Sequence, residues 1–395
     1  MNIKPYIAKE RDYLIGLRRH FHAHPEPSLE EFGTCARIEE ELDKSGIPHR
    51  RVGETGVYAW IDGEKGDGKT IVLRGDIDAL RMQDLKSDVS YHSQNDGVCH
   101  ACGHDAHAAT MLTAAKVLQD KKAEFKGHVR LFFQQAEEIG AGARIFVKEG
   151  LMEGADRVYG AHVSSKLPIG KVSLTPGPNN ASCDYFKIKV RGKGAHVSTP
   201  HMGIDALYIA SQIVVNLQSI VARRTNPLDT VVVGVGKLTA GTAYNIVAEH
   251  AEIEGTTRCF TPEIRERTNR EVRETAETIA KLYGAEVEFE LKDFAAPLVN
   301  DGEAVNEVTE VAKEVFGEDN IIHNMDKSLG ADDFADYLAV TKGMYAFVGT
   351  NNPEKKNTTS AHHHGLFDID EEALLGSCNL YVDYAIDYLN GRFEA

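Results

Sequence analysis

Long apolar runs are missing from this 395-residue chain, and so is any excess of positive charge. No stretch approaches the roughly 20 consecutive apolar residues that a bilayer-spanning helix needs, so no membrane partner is expected. With 60 acidic against 44 basic side chains the formal charge is −16, which argues against a nucleic-acid partner, because phosphate-binding surfaces rely on clustered Lys and Arg. Cysteine is sparse. Six occur, at 35, 99, 102, 183, 259 and 378, without the spacing of a disulfide framework, so reduced thiols are expected. The opening Met1–Asp12 has neither an apolar core nor a small-residue cleavage site and does not read as a secretory signal, which points to a cytoplasmic protein. Internal repeats and low-complexity tracts are also lacking.

What is present is a chain too long for one ordinary core, so two domains, or one domain carrying an insertion, are expected. Glu10–Phe21 has a helical apolar stripe that stops before His24-Pro25. A second helix is expected over Ser28–Ser45, then two β-rich runs, Val57–Ile61 and Thr70–Leu73, joined as a hairpin. Ala106–Asp120 reads as a helix and Gly127–Phe133 as a strand. This alternation predicts an α/β sheet covered on both faces, with functional groups gathered at strand ends. Arg74-Gly-Asp-Ile-Asp78, Glu137-Glu138 and Tyr159-Gly-Ala-His162 each end such a run. From Tyr185 to Leu291 the pattern becomes β-α-β-β-α-β, the order of a ferredoxin-like split unit, inserted over about 182–294. The flanking segments, 1–181 and 295–395, then form one discontinuous catalytic domain.

Chemistry concentrates in Cys102-Gly-His104-Asp105-Ala-His107. A thiolate among imidazoles selects a borderline ion such as Zn²⁺, whereas carboxylates alone would suit Mg²⁺ or Ca²⁺. Glu137-Glu138 offers one carboxylate for a metal and one to act on a metal-bound water, whose pKa falls towards ~7. Taken singly, an Ala-Glu-Glu triplet is more often a solvated surface, and His162 or the tract His362-His-His364 more often ordinary polar residues. Their weight comes from occurring together.

Seven motifs then carry a resemblance over essentially the whole chain: Leu17-Arg-Arg-His-Phe-His-Ala-His-Pro-Glu26, Leu73-Arg-Gly-Asp-Ile-Asp-Ala-Leu80, His100-Ala-Cys-Gly-His-Asp-Ala-His107, Phe133-Gln-Gln-Ala-Glu-Glu138, Gly160-Ala-His162, Gly192-Lys-Gly-Ala-His-Val-Ser-Thr-Pro-His201 and His363-His-Gly-Leu-Phe-Asp-Ile-Asp-Glu371. In this order they resemble the metallopeptidase and amidohydrolase family of aminoacylase and glutamate carboxypeptidase. The branch is that of auxin-conjugate, hippurate and N-acetyldiaminopimelate hydrolases. Arg81, Gln135, Gly365 and Gly330-Ala-Asp-Asp-Phe334 depart from the family pattern, and none of them removes a proposed ligand.

The resemblance implies two divalent metal ions held by Cys102, His104, Glu138, His162 and His363, with His362 the rival for the last place and Cys102 the candidate bridge; a single ion with four or five of these ligands is the simpler alternative. Zn²⁺ is expected, with Mn²⁺ or Co²⁺ able to replace it. It further implies Glu137 as general base and Asp78 as the carboxylate that orients a ligand histidine. In the inserted lid and dimerisation domain it implies His196 as an oxyanion stabiliser acting on the partner subunit's site of a homodimer, and Asn245 and Arg258 as anchors of a substrate carboxylate. The expected activity is hydrolysis of the amide bond of an N-acyl amino acid. Dipeptidase or carboxypeptidase activity, and a non-catalytic metal- or ligand-binding protein on the same scaffold, are the alternatives.

Overall fold

Every residue of Thr70–Asp76 is buried, which suits a strand flanked by parallel neighbours in a sheet covered on both faces. The computed structural model describes residues 3–394, which pack as two units. The first comprises everything described up to Gly177, Asn300–Asp326, and everything described from Asp332 on; the second is Pro178–Val299 with Lys327–Ala331.

In the first unit an eight-stranded mixed sheet runs in the order His49–Val52, Gly56–Asp62, His128–Gln134, Thr70–Asp76, Arg157–Pro168, Gly343–Asn351, Val172–Ser173, Ile321–Ile322. The four central strands, from His128–Gln134 to Gly343–Asn351, are all parallel, and antiparallel pairs lie towards the edges. Alternation along His128–Gln134 divides the two faces. Val129, Leu131 and Phe133 join the main core with Leu112 and Leu118 of helix His104–Asp120 and Leu380 of helix Ala373–Leu389. Phe132 points the other way, its ring 4.8 Å from that of Phe146 and 5.6 Å from that of Tyr337. Each such buried side chain contributes roughly 1.5–3 kcal/mol, so the sheet is secured from both sides.

The structure corrects the expected hairpin between Val57–Ile61 and Thr70–Leu73. His128–Gln134 lies between them, antiparallel to the first strand and parallel to the second. Thr70–Asp76 is too uniformly buried for a peripheral hairpin, whereas Gly56–Asp62 finds its hairpin partner in His49–Val52, across a turn where Gly53 has φ +58°. The helix expected over Ser28–Ser45 begins only at Phe32, because the Glu26 carboxylate accepts the backbone N–H groups of Gly33 and Thr34 at 2.9 and 2.7 Å and caps the first turn there.

The second unit has a four-stranded antiparallel sheet in the order Val231–Ala240, His250–Cys259, Cys183–Arg191, Glu286–Ala295. Helices Ala206–Ser219 and Pro262–Leu282 pack on it through Ile209, Ile213, Val272 and Ala276 against Phe186, Ile188 and Ile253. Both helices start at side-chain caps, Asp205 and Thr261, whose oxygens accept first-turn N–H groups.

Candidate metal centre

The candidate donors converge within the first unit, beyond the ends of Thr70–Asp76 and His128–Gln134 and midway along the longer strand Arg157–Pro168. Asp78 follows Thr70–Asp76, Glu137 and Glu138 follow His128–Gln134, and His162 lies in Arg157–Pro168. Cys102 and His104 flank Gly103, the N-cap of helix His104–Asp120. Gly103 has φ +100°, and a Cβ on it would sit 2.4 Å from Val163 Cγ2, so glycine alone fits between these two donors.

Hydrogen bonds fix which imidazole nitrogen each histidine presents. His104 Nδ1 donates to the Asp78 backbone oxygen at 2.9 Å, with Asp78 Oδ1 at 3.2 Å, and leaves Nε2 free. Asp78 is itself held by Ser28 Oγ at 2.6 Å and by the Glu138 N–H at 3.0 Å. His162 Nδ1 donates to the Val163 oxygen at 2.6 Å and turns Nε2 to within 3.5 Å of Cys102 Sγ. Such outer contacts orient ligand imidazoles and set their tautomer.

Two neighbouring histidines are occupied instead. His107 donates from Nδ1 to Asp76, and its Nε2 accepts the Val163 N–H at 3.0 Å. His362 donates from Nδ1 to the Cys102 oxygen at 3.2 Å and accepts the Ser165 N–H at Nε2 at 3.3 Å. His363 has φ +60°, its N–H donates to the Ala101 oxygen at 2.8 Å, and its Nε2 lies 3.5 Å from Glu138 Oε2. The left-handed backbone turns this ring, not that of His362, towards Glu138.

The donor set fits divalent cations. His104 Nε2 and Glu138 Oε1 are buried without a hydrogen-bond partner and stand 3.9 Å apart, a gap that one ion with bonds of about 2.0–2.2 Å can span. Cys102 lies within 4.8 Å of the donor atoms of His104 and Glu138 on one side and of His162 on the other, where the third neighbour, His362, already has both ring nitrogens in hydrogen bonds. Thiolate, imidazole and carboxylate donors together suit a transition metal.

Charge points the same way. Burial, reinforced by Asp332, Glu138 and Asp333, pushes Glu137 well above the usual carboxylate range. Burial raises Glu138 to about 7 against the pull of His104, and it pushes the Cys102 thiol up, with Glu138 and Glu137 adding to the effect. Burial disfavours charge on His104, but Asp76 and Asp78 outweigh it and raise the imidazole to about 10. Burial, then His107 and His362, holds His162 well below its ordinary value. The site thus gathers more acidic groups than it can ionise by itself, and bound cations would favour the ionised thiol and glutamates.

Glu137 Oε2 lies 3.8 Å from His104 Nε2, beside the donors. Ala136, which precedes it, has φ +56°, and its N–H is held by Glu31 Oε1 at 2.9 Å. His196 lies in the second unit, exposed, its Nδ1 2.7 Å from Ser198 Oγ, on a short ladder where Ile246 pairs with it and the Val197 N–H donates to the Asn245 oxygen at 3.0 Å. His196 and Asn245 are therefore neighbours. Arg258, on strand His250–Cys259, is partly buried, with one terminal nitrogen unpartnered.

Sequence reasoning passed over the layer behind the donors. Arg74, fully buried, pairs with Asp76 and lies 2.9 Å from Asp333 and 3.5 Å from Asp332, which joins Glu137 in one carboxylate cluster. A signal existed: Arg74, Asp76 and Asp78 alternate, so in a strand they project to one face. Three charges at alternate positions of an otherwise apolar run need partners.

A thiolate–imidazole–carboxylate centre at the strand ends of an α/β sheet defines a metal-dependent hydrolase. The chain belongs to peptidase family M20/M25/M40, whose model matches residues 72–387, and it is an enzyme acting on amide bonds. It is 38% identical over 378 residues to the N-acetylcysteine deacetylase of Bacillus subtilis, covering 94% of this chain and 96% of that one. It is 35% identical to the Arabidopsis thaliana IAA-amino acid hydrolase ILR1-like 4, covering 96% and 86%. Among solved structures, a Bacillus subtilis dinuclear metal-binding peptidase of the M20 family superposes with a TM-score of 0.83 at 35% identity, covering 97% and 99%.

Proposed function

We propose that the chain hydrolyses the amide bond of N-acyl amino acids, releasing a carboxylic acid and a free amino acid, with Cys102, His104, Glu138, His162 and His363 as the residues that would hold two divalent cations, for which Zn²⁺ suits the donors. One observation carries the reading: Glu137, a largely buried carboxyl with a raised proton affinity, stands 3.8 Å from His104 Nε2 and beside Glu138, among the candidate donors. The deacetylase and the auxin-conjugate hydrolase among the relatives support the substrate class.

Bound there, divalent cations would polarise the amide carbonyl and make water acidic. Glu137 takes the proton from that water and returns it to the leaving nitrogen, a role suited to a carboxyl whose proton affinity is raised by burial and by neighbouring carboxylates. Asp78 keeps His104 in the tautomer that presents Nε2. The second unit is proposed as a ferredoxin-like lid and dimerisation domain, in which His196 stabilises the oxyanion of the partner subunit's site and Asn245 with Arg258 anchors the substrate carboxylate. Exposed Leu207, Tyr208 and Val215 on helix Ala206–Ser219, and Leu238 on the edge strand Val231–Ala240, support a homodimer.

Glu137→Gln tests the mechanism. Turnover should fall about 10²–10⁴-fold with metal content unchanged, and near-normal activity would refute it. Peptide cleavage is the second reading, favoured by a relative 36% identical over 393 residues, the thermostable carboxypeptidase 2 of Saccharolobus solfataricus. A panel of acetyl-, benzoyl- and indoleacetyl-amino acids run beside dipeptides decides between the two.

A further inference from the structure

The motif Leu17–Glu26 supplies no donor to the centre, yet its Arg18 is among the most deeply buried charged side chains of the first unit. The guanidinium ends helix-side contacts with three carboxylates. Its Nε is 3.0 Å from Asp105 Oδ2, one terminal nitrogen donates to Asp368 Oδ1 at 2.7 Å, and the other donates to Glu371 Oε1 at 3.2 Å. Its flat face lies 4.8 Å from the Tyr91 ring centre, and Tyr91 in turn donates to Asp368 Oδ2 at 2.7 Å. Lysine could not reproduce these contacts, since its single nitrogen has neither the planar fork that spreads over three carboxylates nor the flat face that lies on Tyr91.

These acceptors belong to the two segments that carry the donors. Asp105 directly follows His104 in the first turn of its helix, and Asp368 and Glu371 follow His363 in the C-terminal segment. The two segments touch at the centre itself through the His363 N–H on the Ala101 oxygen and His362 Nδ1 on the Cys102 oxygen. Arg18 fastens them a second time, from behind. His22, one helical turn along, adds a bond from Nδ1 to Asp105 Oδ2 at 2.6 Å, and the neighbouring Leu85 N–H donates to the Gly365 oxygen at 2.9 Å.

We infer that Arg18 is a positioning residue of the metal centre, a buried clamp that sets the distance between the Cys102–His104 donors and the His363 donor and so sets cation affinity. A hinge fixed at one point leaves the donors free to splay; two fixed points do not. The inference rests on the ligand set proposed above. Groups hydrogen-bonded to metal ligands typically change affinity by about 10–100-fold when altered; Arg18 acts one residue further back but fastens both donor segments at once, and an effect within that range is expected here.

The test uses the full chain, stripped with a chelator and titrated with Co²⁺ against a chromophoric competitor while the thiolate-to-cobalt absorption is recorded. Arg18→Lys should weaken Co²⁺ binding about 10–100-fold and change the absorption band. Arg157→Lys, which disturbs another ion pair of the same unit, with Glu307 at 2.8 Å, should do neither. If Arg18→Lys does not fold, Asp368→Asn takes its place with the same expectation. A folded Arg18→Lys or Asp368→Asn protein with wild-type Co²⁺ affinity and spectrum overturns the clamp. Failure of the underlying ligand set looks different: the wild-type chain would bind no Co²⁺, or Cys102→Ser would leave its absorption unchanged.

Discussion

Replacing Gly103 by alanine is the sharpest local perturbation the centre allows. At φ +100° the backbone lies in the left-handed region, which costs an L-residue about 1–2 kcal/mol. The new Cβ would stand 2.4 Å from Val163 Cγ2, and relieving that overlap in a packed core costs a further ~1–3 kcal/mol. Alanine also narrows the unfolded ensemble, which returns about 0.4–1 kcal/mol. The net loss is roughly 1–5 kcal/mol. Any escape by rotating this peptide moves Cys102 and His104 relative to each other, so cation affinity should fall as well. Guanidinium unfolding of the chelator-treated protein measures the first effect. Trp60, the single tryptophan, sits on strand Gly56–Asp62 of the first unit, so its fluorescence follows that unit. The expected result is a lower midpoint at an unchanged slope, with weaker Zn²⁺ retention on dialysis. A midpoint and a metal content both equal to wild type would refute the claim that glycine is required here.

His363→Ala should lose bound metal on dialysis, whereas His362→Ala, which removes two hydrogen bonds of 3.2 and 3.3 Å, should retain more of it; metal analysis showing the reverse order would exchange their roles. Asp383→Asn should stabilise the first unit increasingly as pH rises from about 4 to about 7, and fully above that. Burial, then Asp387 and Glu314, raises the Asp383 carboxyl from 3.8 to about 7 in the folded chain, so the unfolded chain ionises first and stability falls as pH rises between those values. Removing the charge should therefore raise the unfolding free energy followed by Trp60 fluorescence at pH 8, by at most ~4 kcal/mol, and leave it unchanged near pH 3. A gain of equal size at both pH values would show that the carboxyl does not titrate this way. Mixing inactive Glu137→Gln and His196→Ala proteins should restore part of the activity if two subunits share each site; a mixture as inactive as its components would remove His196 from that role.

Much of the centre was legible because metal chemistry restricts residue type. Cys102 beside His104, and Glu137 beside Glu138, are informative as pairs, and His162 gained its meaning from them. His107 shows the limit. It lies three residues from His104 on the same helical face and offers the same imidazole, yet Asp76 and the Val163 N–H take both its nitrogens. His362 and His363 are adjacent and chemically identical, and a backbone torsion at His363 together with the Ala101 oxygen decides which ring turns to Glu138. The strand Gly127–Phe133 was read correctly as an element, but its insertion between two strands expected to pair was not.

Sequence alone determined the α/β class, the run of elements and the candidate donors, because periodicity, capping and ligand chemistry act over a few neighbouring residues. Only the tertiary structure decided the strand order, the free nitrogen of each histidine, and the place of Arg18 behind both donor segments. Those outcomes depend on contacts such as Arg18 with Asp368 and His107 with Val163, whose partners are far apart in the chain. The energy of such a contact exists only when both partners are already in position, so neither segment encodes it separately.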